Sequence, residues 1–139
     1  MITNSQIMID VRDKIIHKEL SYEIVGILYD VYNELGFGYS EKIYEIAIAK
    51  ELAAKGKQFK RQASFIISYK GECVGRYYLD FIIENKIVLE LKRGNYFSKK
   101  NIEQIKGYLA ATKMKLAILA QFTANGVKIF RAFNPKNKC

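Results

Sequence analysis

The sequence predicts an α/β (α+β) fold, one mixed sheet flanked by helices, with elements in the order α-α-β-β-β-α-β-β. Three observations predict it. Two stretches with apolar residues at helical spacing precede Gly56, a third runs from Lys99 to about Thr112, and runs rich in β-branched and aromatic residues fill most of the remainder. A single sheet covered by helices buries such faces most economically.

The elements follow in order. Residues 1 to about 20 read ambiguously: Ile7, Val11, Ile15 and Ile16 have helical spacing, but the cap signals are poor, and residues 1–15 are taken as an N-terminal extension. His17 is expected near the surface or in a helix-end hydrogen bond. Ser21 is the expected N-cap of the first helix, whose stripe is Ile24, Val25, Leu28, Val31, Tyr32 and Leu35, and Gly36 ends it. After Gly36-Phe-Gly-Tyr-Ser40, the second helix runs from Glu41 to about Lys55, with Ser40 as cap and Gly56 as terminator. It is apolar on most sides and should lie against the sheet. Glu41 and Glu45 stand one turn apart on it, and a first-turn acid at Glu41 also favours the helix dipole. Phe59–Tyr69, Cys73–Ile83 (with a bulge at Gly75) and Ile87–Lys92 read as an antiparallel meander. A helix capped by Ser98 comes next, burying Ile102, Ile105 and Leu109, with Gln104 and Tyr108 sharing another face. Leu116–Gln121 reads as a fully buried strand, and Val127–Phe133 as an alternating edge strand.

The stretch Tyr77–Arg93, YYLDFIIENKIVLELKR, carries the chemistry. Glu90 and Lys92, at i and i+2, share a strand face. If Ile83 pairs with Ile87 across a three-residue loop, Asp80 falls opposite Glu90; a two-residue Asn-Lys turn would put it opposite Leu91. Three-residue loops are common, and Asn tolerates the left-handed conformation they need, so the first register is expected. Two carboxylates so opposed repel by roughly 0.2–1 kcal/mol, more when dry. Either Lys92 or a divalent cation should sit between them.

Composition narrows the class. The 139 residues are read as one domain, 1–139, half of it apolar and large enough for a core. No apolar run approaches the ~18–20 residues of a membrane span, and the N-terminus lacks a signal-peptide core, so a cytoplasmic place and no membrane partner are expected. Cys73, Cys139 and His17 cannot make a zinc site. Twenty-three Lys and Arg against 14 acids, a net charge of +9, favour a polyanion, nucleic acid before membrane. Lys55, Lys57, Lys60, Arg61, Lys99, Lys100 and Lys106 are the candidate contacts, and Pro135 opens a basic tail within residues 134–139.

An Asp followed about ten residues later by Glu-x-Lys at a strand end, then a helix, resembles the PD-(D/E)xK nuclease core. Gly38-Tyr-Ser-Glu41-Lys-Ile-Tyr44-Glu45 resembles the signature of the GxxExxY family, a branch of that superfamily. The flanking text fits as well: His17-Lys-Glu-Leu20, Asn33-Glu-Leu-Gly36, Tyr69-Lys-Gly71, Val88-Leu-Glu90-Leu-Lys92, and Gln104 to Tyr108-Leu109 with Ala111-Thr112. The resemblance covers residues 16 to 133, departing at Ala120-Gln-Phe-Thr123, more polar than the family's usual Asn-Phe-Gly.

The resemblance implies a restriction-endonuclease-like core and a metal-dependent nuclease, DNA being the favoured substrate. Asp80 and Glu90 would ligate Mg²⁺ or Mn²⁺, with the Leu91 carbonyl as a third donor and Glu41 joining directly or through water. Lys92 would orient or activate the attacking water, and Gln104 would hydrogen-bond near the metal or the scissile phosphate. A metal lowers the pKa of bound water, so no histidine is required. A structure-selective version would need a homodimer to place two sites on two strands. The competing reading is a non-catalytic nucleic-acid-binding or protein-interaction module on the same fold.

Overall fold

The computed structural model describes residues 16–96 and 98–134. The expectations for residues 1–15, for the tail beyond Asn134 and for Cys139 lie outside them. Among the described residues, three helices and five strands follow in the predicted order: α1 (Lys18–Leu35), α2 (Glu41–Ala54), β1 (Phe59–Tyr69), β2 (Glu72–Ile83), β3 (Ile87–Arg93), α3 (Lys99–Thr112), β4 (Leu116–Thr123) and β5 (Gly126–Phe133).

The strands form one mixed sheet in the order β1-β2-β3-β4-β5. Neighbours are antiparallel except β3 and β4, which run parallel across the α3 crossover, the connection a parallel pair requires. Helices α1 and α2 cover one face, where Ile24, Leu28, Tyr44, Ile48 and Leu52 meet Phe81, Leu89, Ile118 and Phe122. Helix α3 covers the other, where Ile105, Tyr108 and Leu109 meet Leu79, Val88, Ala117 and Leu119. Strand β4 is buried along its whole length because both its faces are covered.

Helix α1 departs from expectation at its start. It begins at Lys18 behind His17, which is left-handed (φ 53) and gives no side-chain cap. Ser21 is instead fully buried inside the helix, its Oγ accepting from Arg131 Nε of β5 at 3.1 Å. A hydroxyl with a cation partner reads in sequence like a cap; only the tertiary contact separates the two. Ser40 and Ser98 do cap α2 and α3, accepting from the backbone of Ile43 (3.3 Å) and Lys100 (3.1 Å). The bulge of β2 falls at Val74, beside the expected Gly75.

The feature that shapes the site is a reversal in the β1–β2 ribbon. Phe59, Phe81 and Ile83 face α1 and α2, whereas Ala63, Phe65, Tyr77 and Leu79 face α3. Strand side chains two apart share a face, so the parity changes between residues 61 and 63 and between 79 and 81. Both strands reverse together, because Arg61↔Phe81 and Ala63↔Leu79 keep one register. Gln62, left-handed at φ 49, absorbs the change in β1 and forms no ladder pair with Asp80.

Candidate active site

Asp80 sits where the sheet opens on both sides. The β2–β3 ladder runs Ile83↔Ile87, Ile82↔Val88, Phe81↔Leu89 and then stops, the register of the three-residue loop, with Glu84 and Asn85 left-handed in the turn. Beyond it, side chains replace the ladder. Asp80 N–H donates to Glu90 Oε1 at 2.6 Å, and Leu91 N–H donates to Asp80 Oδ2 at 2.8 Å. Each carboxylate thus bonds the opposite strand's backbone, which holds the two acids side by side.

Burial makes the pairing costly for charge. Glu90 is 5% exposed, and burial, followed by the neighbouring Asp80 charge, pushes its carboxyl up to about 8. Asp80, half-buried, is raised too, chiefly by burial; the Leu91 and Gln62 hydrogen bonds oppose that shift and the Glu45 charge adds to it. Lys92, half-buried two residues after Glu90, eases both acids by its charge without an ion pair among the described residues. Glu41 is exposed in the first turn of α2, near enough that its charge also raises Glu90. Gln104 lies exposed on α3, with no hydrogen bond among the described residues.

Three further groups stand at the site that were not among the predicted site residues. Glu45, one turn after Glu41, is 5% exposed; Arg61 Nε meets its Oε2 at 2.9 Å, and Gln62 Nε2 bridges its Oε1 (3.0 Å) to Asp80 Oδ1 (3.1 Å). Tyr108, one turn after Gln104, is buried against Tyr77; burial, then the Glu90 and Asp80 charges, push its hydroxyl up to about 12. Gln121, beside Lys92 in the parallel register, is 2% exposed, its Oε1 without a hydrogen bond among the described residues. The i, i+4 spacings of Glu41 with Glu45 and Gln104 with Tyr108 were the available signals; Gln121 had none.

Tyr44 explains how α2 is aimed. Fully buried, it stacks on Phe122 of β4 (4.1 Å between centroids) and donates its hydroxyl to the Gly36 carbonyl at the end of α1. Tyr32 of α1 also lies parallel to Phe122, 6.4 Å between centroids, and donates to the Thr123 carbonyl at 2.6 Å. These contacts fix the start of α2, and with it Glu41, against the sheet.

Among the described residues, no three acids, cysteines or histidines are gathered into a ready metal nest. Glu45 is engaged by Arg61 and Gln62, and Glu41 stands in solvent. The donors at Asp80 and Glu90 nevertheless suit a hard divalent cation: two adjacent carboxylates, one deeply buried, with no ion pair to either among the described residues.

A family model for the PD-(D/E)XK nuclease superfamily matches residues 18–132. The chain belongs to that superfamily. Its helices and mixed sheet are those of the restriction-endonuclease-like fold. Among solved structures, the crystal structure of SSO0001 is similar at TM-score 0.55 and 20% identity, over 68% of this chain and 50% of that one. An alkaline exonuclease (LHK-Exo) from Laribacter hongkongensis matches at TM-score 0.42 and 12% identity, over 68% of this chain and 56% of that one. The chain thus spans about half the length of these solved structures. None of the curated proteins matches.

Proposed function

We propose that this nuclease-superfamily chain, of the GxxExxY branch, is a Mg²⁺- or Mn²⁺-dependent phosphodiesterase acting on nucleic acid, DNA in preference to RNA. The observation that carries the reading is the interlocked pair Asp80–Glu90, with Glu90 pushed up to about 8 and Lys92, in no ion pair among the described residues, on the same strand face. A divalent ion would take Asp80, Glu90 and the Leu91 carbonyl, with Glu41 entering through water. When bound, such an ion polarises the phosphate and lowers the pKa of water. Lys92 orients that water and offsets the charge developing on phosphate, and Gln104 offers an amide to the same phosphate from α3. Tyr108, held in its neutral form, keeps a hydroxyl donor beside the carboxylates.

The test is incubation of the purified protein with labelled DNA and RNA in Mn²⁺ or Mg²⁺, beside Glu90→Ala and Lys92→Ala. Cleavage by the parent that both substitutions abolish supports the reading; cleavage that survives them comes from a contaminant and ends it. Structure-selective cutting of branched DNA would further require a dimer in light scattering.

One observation favours a second reading, a binding module. The two carboxylates already satisfy backbone N–H groups, and no third acid joins them among the described residues. Salt-dependent binding without metal-dependent cleavage would select it.

A further inference from the structure

Three exposed rings and one guanidinium flank the strand ends that carry Glu90 and Lys92, and the chemistry proposed above uses none of them. Tyr96, in the β3–α3 loop, is 86% exposed, and among the described residues no ring or cation packs on its ring. Its backbone is nevertheless fixed. Gln121 Nε2 donates to the carbonyls of Gly94 (2.8 Å) and Tyr96 (2.6 Å), and Asn95 Oδ1 accepts from Ala124 N–H at 2.9 Å. A buried glutamine near the end of β4 therefore holds a loop whose tip presents a bare aromatic face.

The other flank is built similarly. Phe37 lies in the α1–α2 loop between two left-handed glycines, Gly36 (φ 75) and Gly38 (φ 119). Its ring is 37% exposed, and the Arg93 guanidinium lies over it, 5.4 Å from the centroid. Tyr39, 42% exposed, follows with its edge against Tyr44. Lys92 and Arg93 are consecutive in β3 and point to opposite faces, so Phe37 and Arg93 stand on the α2 side. Gln121, in register with Lys92, ties Tyr96 to the α3 side. Glu90 and Lys92 lie in the strand that leads into both flanks, three residues and one residue before Arg93.

Such surfaces suit one class of ligand. Every nucleobase offers a flat π face, aromatic rings and guanidinium planes stack on it whatever the sequence, and neighbouring cations attract the phosphates. In a duplex those faces are already stacked on one another, so only unpaired bases can use the rings. We infer that Phe37 with Arg93, and Tyr96 opposite, are stacking platforms that select nucleic acid with unpaired bases at the position to be cut: single strands, frayed ends or flaps. This rests on the nuclease reading above, but binding and cleavage can be measured apart.

The chain contains no tryptophan, so Tyr96→Trp and Phe37→Trp each install a single reporter. The probe is a mixed-sequence 15-nucleotide DNA strand, titrated in EDTA, against its blunt duplex. Saturable quenching of both tryptophans by the single strand and not by the duplex is expected. Tyr96→Ala should weaken single-strand binding about 5- to 100-fold, Tyr96→Phe should restore it, and duplex binding should stay within about twofold. Equal affinity for strand and duplex with neither tryptophan quenched, or unaltered single-strand binding by both Tyr96→Ala and Phe37→Ala, overturns the platforms. If Glu90-dependent cleavage then persists on blunt duplex, the platforms fall and the nuclease stands. Quenching by single strands in a protein that never cleaves supports the platforms and removes the nuclease.

Discussion

Two buried glutamates flank Asp80, each 5% exposed, and their surroundings differ. Glu45, on the α2 side, meets the Arg61 guanidinium at 2.9 Å and the Gln62 amide at 3.0 Å, so its charge is answered. Glu90 has only the Asp80 backbone N–H and a half-buried lysine that forms no ion pair among the described residues. Burial is common to both; an unanswered charge belongs to one. That contrast separates a carboxylate that holds the structure from one poised to accept a proton or a cation.

The largest expected effect breaks the Glu90 side. Glu90→Ala and Lys92→Ala should each lower Mn²⁺-dependent cleavage by roughly 10²–10³-fold or more, the scale for removing one electrostatic partner of a transition state. Arg61→Ala should leave those reactions with less loss than Glu90→Ala, yet cost about 1–3 kcal/mol of stability in urea unfolding at pH 7 by stranding Glu45.

The third prediction turns on pH. Glu90 is raised from 4.5 to about 8 in the folded protein. A raised carboxyl binds its proton more tightly folded than unfolded, so its contribution is complete below pH 4.5 and is lost as pH rises through about 8. Metal-free Glu90→Gln should therefore match the parent at pH 4.5 and exceed it by about 1–3 kcal/mol at pH 9, read from paired denaturation curves. Mn²⁺ binding at pH 7 should release close to one proton, with heats that scale with buffer ionisation enthalpy and a release that fades above pH 8. The smallest effect concerns Gln62, whose left-handed backbone glycine adopts freely. Gln62→Gly should be less destabilising than Gln62→Ala by about 1 kcal/mol, both losing the amide bridge.

Much of this was legible in the sequence because it rests on local chemistry. Periodicity placed the helices and strands, Ser40 and Ser98 announced their caps, and the spacing across Glu84-Asn85-Lys86 fixed the register opposing Asp80 to Glu90. What stayed hidden depends on distant partners. Ser21 reads as a cap until Arg131 arrives from β5. The reversal at Gln62 has no composition signal, since the partners of the left-handed glutamine, Glu45 and Asp80, are 17 and 18 residues away. Lys57 and Arg61, read as candidate polyanion contacts, are held by Glu23 and Glu45 at 2.9 Å, which shrinks that patch.

The most direct measurement is the anomalous difference map of a crystal soaked in Mn²⁺ at pH 8. The account predicts one peak about 2.0–2.3 Å from an oxygen of Asp80 and an oxygen of Glu90, absent in Glu90→Gln crystals. A map empty there, with Asp80 and Glu90 still bonded to the backbone N–H groups of Leu91 and Asp80, would contradict it.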